Sequence, residues 1–380
     1  MKPVYLDCNS TTPLEDDVMS EMRQYLSFDF GNAGSRTHEM GSIASKAVNN
    51  SRKKIAEVLN ADGSDILFTS GATESNNLAI LGMEKFGKEE NRKHIISSPA
   101  EHKATLEPLE RLKEHGFTID YLQVDSAGRV NIDELKEKIN DQTLLITLIH
   151  ANNETGVLNP ISEIGDYLQE SGSDVYFHVD AAQSFGKEIE PLQNSRIDMM
   201  SMSAHKIFGP KGIGALLLRS RNYEKPPLEP LMIGGGQERG LRPGTLAVPL
   251  ITGFGKAAEL SIRDNSERKI KCLDIRKKAI EAISSLGGIV NGDTENTLSH
   301  TLNISIPGIN SEAAMIVLKD IIYISNGSAC TSSDYQLSHV LKSMKLPEKR
   351  IKEAIRISWC HLTEEINWEE VVQKLSSLKP

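Results

Sequence analysis

The feature that most constrains the fold is a regular alternation of short apolar runs and amphipathic stretches between Asp65 and Arg219. The amphipathic stretches, such as Ser75 to Lys88 and Ile161 to Glu170, have helical spacing, and Asn159 and Pro160 are suited to begin the second one. The apolar runs are predicted strands: Ile66 to Phe68, His94 to Ile96, Asp120 to Leu122, Leu144 to Ile149, Val175 to Val179, Met199 to Met202 and Gly214 to Leu218. Continuous apolar strands that alternate with helices predict an α/β fold with a mostly parallel sheet, covered by helices on both faces.

The pattern changes after Gly255. A long helical stretch, Lys256 to Ser285, precedes strand candidates at Asn303 to Ile306 and Ile355 to Ser358, and a last amphipathic helix begins near Trp368. We therefore predict a large domain over residues 13–255. Residues 256–380, joined by the extended residues 1–12, are predicted to form a smaller α+β domain.

Composition excludes several classes of function. With a net charge of −9 over 380 residues, nucleic acid is not expected to be a direct ligand. No apolar stretch approaches the roughly 18 residues of a membrane span, and the N-terminus lacks a signal-peptide pattern. The 4 cysteines are far apart and lack the spacing of metal ligands, so we expect no metal site and a reducing compartment, with the cytoplasm as the default.

A lysine and an aspartate follow two of the predicted strands. Lys206 comes just after the strand Met199 to Met202, and Asp180 ends the strand before it. A buried lysine amine can form a Schiff base with pyridoxal phosphate, and a buried carboxylate can keep the pyridinium nitrogen of that cofactor protonated. Taken alone, Lys206 could instead extend its amine to solvent, and Asp180 could cap the following helix.

Other residues at the same predicted sheet edge fit this cofactor. Gln183 could donate to the phenolic oxygen, and His102 could stack on the ring and transfer protons. Ala72 and Thr73 begin a helix after a strand and a glycine turn, so their backbone amides could hold a phosphate. An ordinary βα turn and a surface histidine remain alternatives for these residues.

Two glycine-containing loops complete the pattern. Cys330 lies in a small, polar stretch within a loop at about residues 325–335, where a cysteine is a candidate nucleophile or an accidental surface thiol. The stretch Gly234 to Gly240 lacks the spacing of a dinucleotide-binding loop. It is better interpreted as a mobile or interface loop that continues to Thr245.

Seven motifs occur in an order that resembles a known family. They are Thr69 to Ser75, Glu101 to Lys103, Asn152 to Glu154, Asp180 to Ser184, Ser203 to Lys206, Arg239 to Thr245, and Gly327 to Ser332. Together they resemble the cysteine desulfurases of the NifS/IscS type, pyridoxal phosphate-dependent members of the class V aminotransferases. The resemblance spans nearly the whole chain. It implies the fold-type I (aspartate aminotransferase-like) architecture and a homodimer.

The resemblance also implies an activity. Such enzymes convert L-cysteine to L-alanine and load the sulfur as a persulfide onto their own cysteine, here Cys330. The sulfur then passes to an acceptor protein for iron–sulfur cluster, thio-tRNA or DNA phosphorothioate synthesis. A selenocysteine lyase, an ordinary aminotransferase and a catalytically silent sulfur-transfer scaffold are alternatives, although the last would not need Lys206, Asp180 and His102 together.

Further site residues follow from the resemblance alone. It implies that Ser203 and His205 help to hold the phosphate and that Asn153 lies on the phenolic-oxygen side, near the substrate. Thr245 would reach the phosphate from the neighbouring subunit, and Arg356 would bind the substrate carboxylate. The chain departs from the family at Trp359 and Cys360, where Leu-Gly is usual, and we expect this pair to add bulk near the site.

Overall fold

A computed structural model describes residues 2–327 and 337–379. The helices of this part of the chain are α1 (Asp16–Ser27), α2 (Glu39–Val58), α3 (Ala72–Leu81), α4 (Glu84–Glu89), α5 (Lys103–Glu114), α6 (Ile132–Lys138), α7 (Ile161–Glu170), α8 (Ile189–Leu192), α9 (Val248–Arg263), α10 (Asn265–Ser284), α11 (Ser311–Leu318), α12 (His339–Ser343), α13 (Glu348–Lys352) and α14 (Trp368–Ser376). Among these described helices, none is long and apolar enough to cross a membrane.

The strands of the same residues are β1 (Val4–Tyr5), β2 (Ile66–Thr69), β3 (His94–Ser97), β4 (Thr118–Tyr121), β5 (Thr143–Ile149), β6 (Tyr176–Asp180), β7 (Met199–Ser203), β8 (Gly214–Leu218), β9 (Ile289–Val290), β10 (Thr301–Ser305), β11 (Ile322–Tyr323) and β12 (Ala354–Ser358). A 7-stranded sheet has the order β2-β8-β7-β6-β5-β3-β4. Its strands are parallel except β8, which is antiparallel to both neighbours. The predicted α/β fold with a mostly parallel sheet is confirmed.

The C-terminal third of the chain forms a smaller sheet. Strands β9, β10 and β12 are antiparallel, and helices α10, α11 and α14 contribute to the apolar cluster that covers them. The N-terminal segment belongs here as well, because β1 pairs with β11 and Asp7 bridges to Ser358. Residues 4–7 are therefore attached to the C-terminal part of the chain.

Two helix predictions were wrong in their boundaries. The stretch Ser75 to Lys88 is divided into α3 and α4, because the carbonyl of Gly82 accepts a hydrogen bond from the backbone N–H of Glu229, 2.9 Å away, at the break. The stretch Lys256 to Ser285 belongs to α9 and α10. These helices are separated at Asp264, whose φ of −107° and ψ of 6° depart from helical values.

The predicted cap of α7 was also wrong. Pro160 occupies the N-cap position, and the side chain of Asn159 serves the preceding loop. Its carboxamide oxygen accepts a hydrogen bond from the backbone N–H of Val130 at 3.1 Å, and its carboxamide nitrogen donates one to the backbone carbonyl of Ile149 at 2.8 Å. Asn159 therefore ties two loops to the end of β5 instead of capping the helix.

Candidate active site

The carboxyl ends of β2, β3, β5, β6 and β7 open onto one pocket of about 550 Å³. Ligands of open α/β sheets bind at this edge, because the loops that follow parallel strands converge there. The predicted site residues that line the pocket are Ala72, Thr73, His102, Asn153, Asp180, Gln183, Ser203, His205, Lys206 and Arg356. The structure thus brings together residues that are up to 284 positions apart in the chain.

Lys206 ends a short 3-10 turn that directly follows β7. Its amine donates hydrogen bonds to the backbone carbonyls of Asn9 and Ser10, the latter at 2.9 Å. Burial lowers the pKa of Lys206 to about 7, and the positive charges of Lys187 and Arg356 lower it further in the same direction. A substantial fraction of the amine is therefore neutral and nucleophilic near neutral pH.

Asp180 is the last residue of β6 and is 2% exposed. One carboxylate oxygen accepts from the backbone N–H of Ala182 at 2.9 Å. The other oxygen accepts from the carboxamide of Asn76 at 2.7 Å. The alternative that Asp180 caps the following helix was wrong, because the N-cap of α8 is Glu188. The two hydrogen bonds instead hold the carboxyl group at a fixed place on the pocket wall.

The phosphate-binding prediction falls on the N-terminus of α3. Gly71 occupies the N-cap position, and no side chain of the described residues caps it, so the first backbone N–H groups of the helix face the pocket. Gly214 on β8 packs against this turn, and a Cβ there would lie 2.6 Å from the Cα of Gly71. Only glycine at 214 leaves room for the turn to approach the sheet this closely.

Ser203 and His205 border the same end of the pocket. The Nδ1 atom of His205 lies 3.2 Å from the hydroxyl of Thr11. Burial, followed by the charge of Lys206, lowers the pKa of His205 to about 4, so the ring is neutral at neutral pH. In the tautomer in which Nδ1 accepts from Thr11, Nε2 carries the proton and can donate to an anion.

His102 precedes Asp180 in the sequence and Gln183 follows it, and both residues line the pocket. The Nδ1 atom of His102 accepts from the backbone N–H of Ala104 at 3.1 Å and caps α5. Burial in the pocket wall lowers the pKa of His102, although the charge of Asp180 opposes that shift. Gln183 donates to the carbonyl of Asn9 at 2.9 Å, and its Oε1 has no hydrogen-bond partner among the described residues.

Arg356 lies on β12 and extends into the pocket from the smaller sheet. Its guanidinium donates to Asp7 at 2.6 Å, to the hydroxyl of Ser10 at 2.9 Å and to the carbonyl of Asn153 at 3.0 Å. The Nε atom is buried and has no partner among residues 2–327 and 337–379. A buried, oriented guanidinium with a free donor can bind a carboxylate.

Two predicted residues lie elsewhere. Thr245 is exposed and does not line the pocket of its own chain. Cys330 lies outside the described residues. The expectation that Trp359 and Cys360 add bulk near the site was wrong, because both line a separate, smaller cavity and Trp359 donates to the carbonyl of Cys272 at 2.9 Å.

Sequence reasoning missed Asp7, Asn9, Ser10 and Asn76. The first three belong to the N-terminal segment, which no local pattern connects with Lys206 or Arg356. Asn76 offered a weak signal, since it is a polar residue on the buried face of α3, one turn after the glycine loop. A buried helical asparagine needs a hydrogen-bond partner, and here that partner is Asp180.

Comparisons with known proteins agree with this geometry. The family model described as Aminotransferase class-V matches residues 4–371. Cysteine desulfurase IscS of Vibrio vulnificus (strain CMCP6) is 40% identical over 388 aligned positions, which cover 100% of this chain and 95% of the relative.

Solved structures show the same similarity. A NifS-like protein superposes with a TM-score of 0.89 at 35% identity, covering 100% of this chain and 98% of that one. The protein SspA, solved in complex with cysteine, superposes with a TM-score of 0.80 at 36% identity, covering 93% of this chain and 98% of that one.

Proposed function

Because the chain belongs to the aminotransferase class-V family, we propose that it is a pyridoxal phosphate-dependent cysteine desulfurase. It converts L-cysteine to L-alanine, and the sulfur passes to Cys330 and then to an acceptor protein. The observation that carries the proposal is the convergence of Lys206, Asp180 and Arg356 on one pocket. An amine, a carboxylate and a guanidinium in this arrangement match the aldehyde and ring nitrogen of the cofactor and the carboxylate of an amino acid.

The described residues fit the cofactor. Several buried polar atoms of residues that line the pocket have no hydrogen-bond partner among the described residues. They include Oε1 of Gln183, Oδ1 of Asn76 and Nε of Arg356. Buried polar groups without partners are rare in folded proteins, so such a group indicates a polar ligand. The uncapped N-terminus of α3 is in addition a suitable site for a phosphate.

Each residue has a proposed task. Ala72, Thr73, Ser203 and His205 would hold the phosphate, and Thr245 of a second subunit would complete this site in a homodimer. Asp180 would hold the proton of the ring nitrogen, Gln183 and Asn153 would lie on the phenolic-oxygen side, and His102 would cover the ring. When bound, pyridoxal phosphate supplies an electron-withdrawing ring that weakens bonds at the substrate Cα and the carbon–sulfur bond.

The chain's own groups then position the substrate and move its protons. Arg356 holds the substrate carboxylate, with Asn153 beside it, and so fixes which face of the amino acid meets the catalytic groups. The neutral amine of Lys206 can accept the Cα proton, and His102 can exchange a proton with the bound substrate. The Cys330 thiolate attacks the substrate sulfur, so a sulfur–sulfur bond forms while the carbon–sulfur bond breaks and leaves its electron pair on the substrate carbon. That carbon gains a proton to give alanine, and the sulfur remains on Cys330 as a persulfide.

Two broader statements belong to the same proposal. We propose the cytoplasm as the compartment, because the three described cysteines are free thiols. We also propose the division into a large domain and a smaller one, residues 13–255 and 1–12 with 256–380. The predicted boundary at residue 255 lies inside α9, so the break at Asp264 is a better place for it.

The first experiment tests the lysine. Purified protein supplied with pyridoxal phosphate and a thiol reductant should release alanine and sulfide from L-cysteine, and borohydride should fix the cofactor to the peptide that carries Lys206. Lys211 lines the same pocket and provides the matched control: Lys206→Ala should abolish both results, whereas Lys211→Ala should preserve covalent attachment. Attachment to another lysine, or alanine release from selenocysteine but not from cysteine, would contradict the proposal.

The second experiment tests the sulfur acceptor. Cys330→Ser should bind the cofactor and L-cysteine normally but release neither alanine nor sulfide. After a single turnover of the unmodified chain without reductant, peptide mass should place the added sulfur on the Cys330 peptide. Sulfur on the Cys360 peptide instead would overturn the assignment.

A further inference from the structure

A second, smaller cavity of about 40 Å³ lies outside the large pocket. All three described cysteines, Cys8, Cys272 and Cys360, line it together with Lys187 and His300. The amine of Lys187 lies 3.0 Å from Nε2 of His300. Among the described residues, no group of His, Cys, Asp and Glu has the arrangement of a metal site.

The backbone holds two of these cysteines side by side. The segments around Cys8 and Cys360 run next to each other: the N–H of Cys8 donates to the carbonyl of Ser358 at 3.0 Å, and the N–H of Ser358 donates to the carbonyl of Leu6 at 2.9 Å. Cys8 and Cys360 pack with Phe208 in a small apolar cluster.

The two sulfurs of this pair are chemically unequal. The hydrogen bond from Cys8 lowers the pKa of Cys360 to about 6, with help from the hydroxyl of Thr363, 3.7 Å from its sulfur. The same hydrogen bond raises the pKa of Cys8, which therefore remains the protonated partner. Burial raises the pKa of Cys272 to about 12. Because the thiolate is the reactive form of cysteine, Cys360 is the nucleophile of this cavity.

We propose that Cys8 and Cys360 form an oxidation site for hydrogen peroxide, with Cys360 as the attacking sulfur and Cys8 as the resolving sulfur. The Cys360 thiolate attacks one peroxide oxygen, the O–O bond breaks, and the departing hydroxide takes a proton to give water and a sulfenic acid. The Cys8 sulfur then attacks the Cys360 sulfur, the S–O bond breaks, and a second water leaves as the disulfide forms. The thiol pair loses two electrons, and one peroxide is reduced.

The surroundings suit this reaction. A cavity of about 40 Å³ admits a molecule of the size of water or peroxide and excludes bulkier disulfides such as glutathione. The nearby positive charge of Lys187 favours a thiolate at Cys360. Cys8 belongs to the same small buried cluster as Cys360, which places the resolving thiol beside the attacking one.

The test uses the holoenzyme carrying Cys330→Ser, so that the proposed persulfide residue cannot react. Treatment with equimolar hydrogen peroxide should lower the intact mass by about 2 Da, the mass of two thiol hydrogens, without lasting addition of oxygen. Digestion without reductant should yield the Cys8 peptide linked to the Cys360 peptide, and dithiothreitol should separate them. This readout requires no turnover, so its failure would leave the proposed desulfurase activity untouched.

Two variants in the same background locate the chemistry. Cys8→Ser removes the resolving sulfur, so the linked peptides should disappear and dimedone should trap a sulfenic acid on Cys360. Cys272→Ser is the matched control from the same cavity and should form the linked peptides as before. If Cys8→Ser does not fold, Cys360→Ala should abolish both the link and the dimedone product.

Three results would overturn the inference. They are a disulfide that contains Cys272, oxygen addition of about 16 Da on Cys360 that persists although Cys8 is present, and complete recovery of both thiols after peroxide treatment.

Discussion

The depressed pKa of Lys206 yields a prediction that can be measured without turnover. Burial is the largest cause of the shift, and the charge of Lys187 is the second. An amine with a pKa of about 7 is half neutral at pH 7, whereas one at the ordinary value of 10.5 is neutral in only about 0.03% of molecules. The apoenzyme should therefore present a nucleophilic amine roughly a thousand times more often than an unperturbed lysine would.

Competitive acetylation measures this fraction directly. Trace acetic anhydride reacts only with neutral amines, so the labelling of the Lys206 peptide of the apoenzyme over a pH series should rise with a midpoint near 7. The rate of pyridoxal phosphate capture, followed by absorbance, should rise over the same pH range. Exposed Lys271 and Lys277 provide the internal reference in each sample.

A matched pair of variants tests the cause of the shift. Lys187→Gln removes a positive charge that lowers the pKa of Lys206, so the midpoint of labelling should move to higher pH. Lys211→Gln removes a charge from the pocket lining that does not figure among the main causes of the shift, and should leave the midpoint unchanged. A midpoint near 10.5 in the unmodified chain, or equal shifts in both variants, would refute the reasoning.

Three further predictions concern catalysis and stability. Asp180→Ala should retain some cofactor but lower kcat roughly 10- to 150-fold, since a charge-assisted pair contributes about 1.5–3 kcal/mol; Asn76→Ala, which removes one hydrogen bond to that carboxyl group but leaves the group itself in place, should lower kcat less. Arg356→Lys should raise KM for L-cysteine roughly tenfold or more with a smaller change in kcat, because an ammonium cannot reproduce the planar guanidinium that Asp7, Ser10 and Asn153 hold in place with its Nε donor free; an unchanged KM would contradict the assigned role. Glu238→Gln should lower the free energy of unfolding by about 3–5 kcal/mol in chemical denaturation, because it removes the ion pair of the partly buried Arg52. Glu259→Gln, which removes the more exposed ion pair with Lys54, should lower it by about 1 kcal/mol or less.

The sequence predicted the central sheet and most of the pocket for one physical reason. Strands buried on both faces are mostly apolar, so the end of an apolar run marks the region of a strand end: Asp180 is the last residue of β6, and Lys206 follows three residues after the end of β7. Parallel strands bring these ends to one edge, where their residues meet whatever their separation in sequence. Local hydropathy therefore contains the information that places them.

The features that the sequence did not predict depend on contacts that hydropathy does not record. The break between α3 and α4 depends on a hydrogen bond from Glu229 to Gly82, which are 147 positions apart. Asn159 has the composition and position of a helix cap, but a competing loop uses its side chain. In each case a tertiary hydrogen bond overrides a local preference.

The N-terminal segment shows most clearly why such contacts matter here. The side chain of Asp7 pairs with Arg356 and Asn9 lines the large pocket, whereas Cys8, between them, lines the smaller cavity. The carbonyl of Asn9 also accepts a hydrogen bond from the amine of Lys206. Residues 7–9, which lead into a turn, therefore contribute to both sites. Any change that displaces Cys8 must displace its two neighbours as well, because they share a backbone whose hydrogen bonds to Ser358 fix it in place.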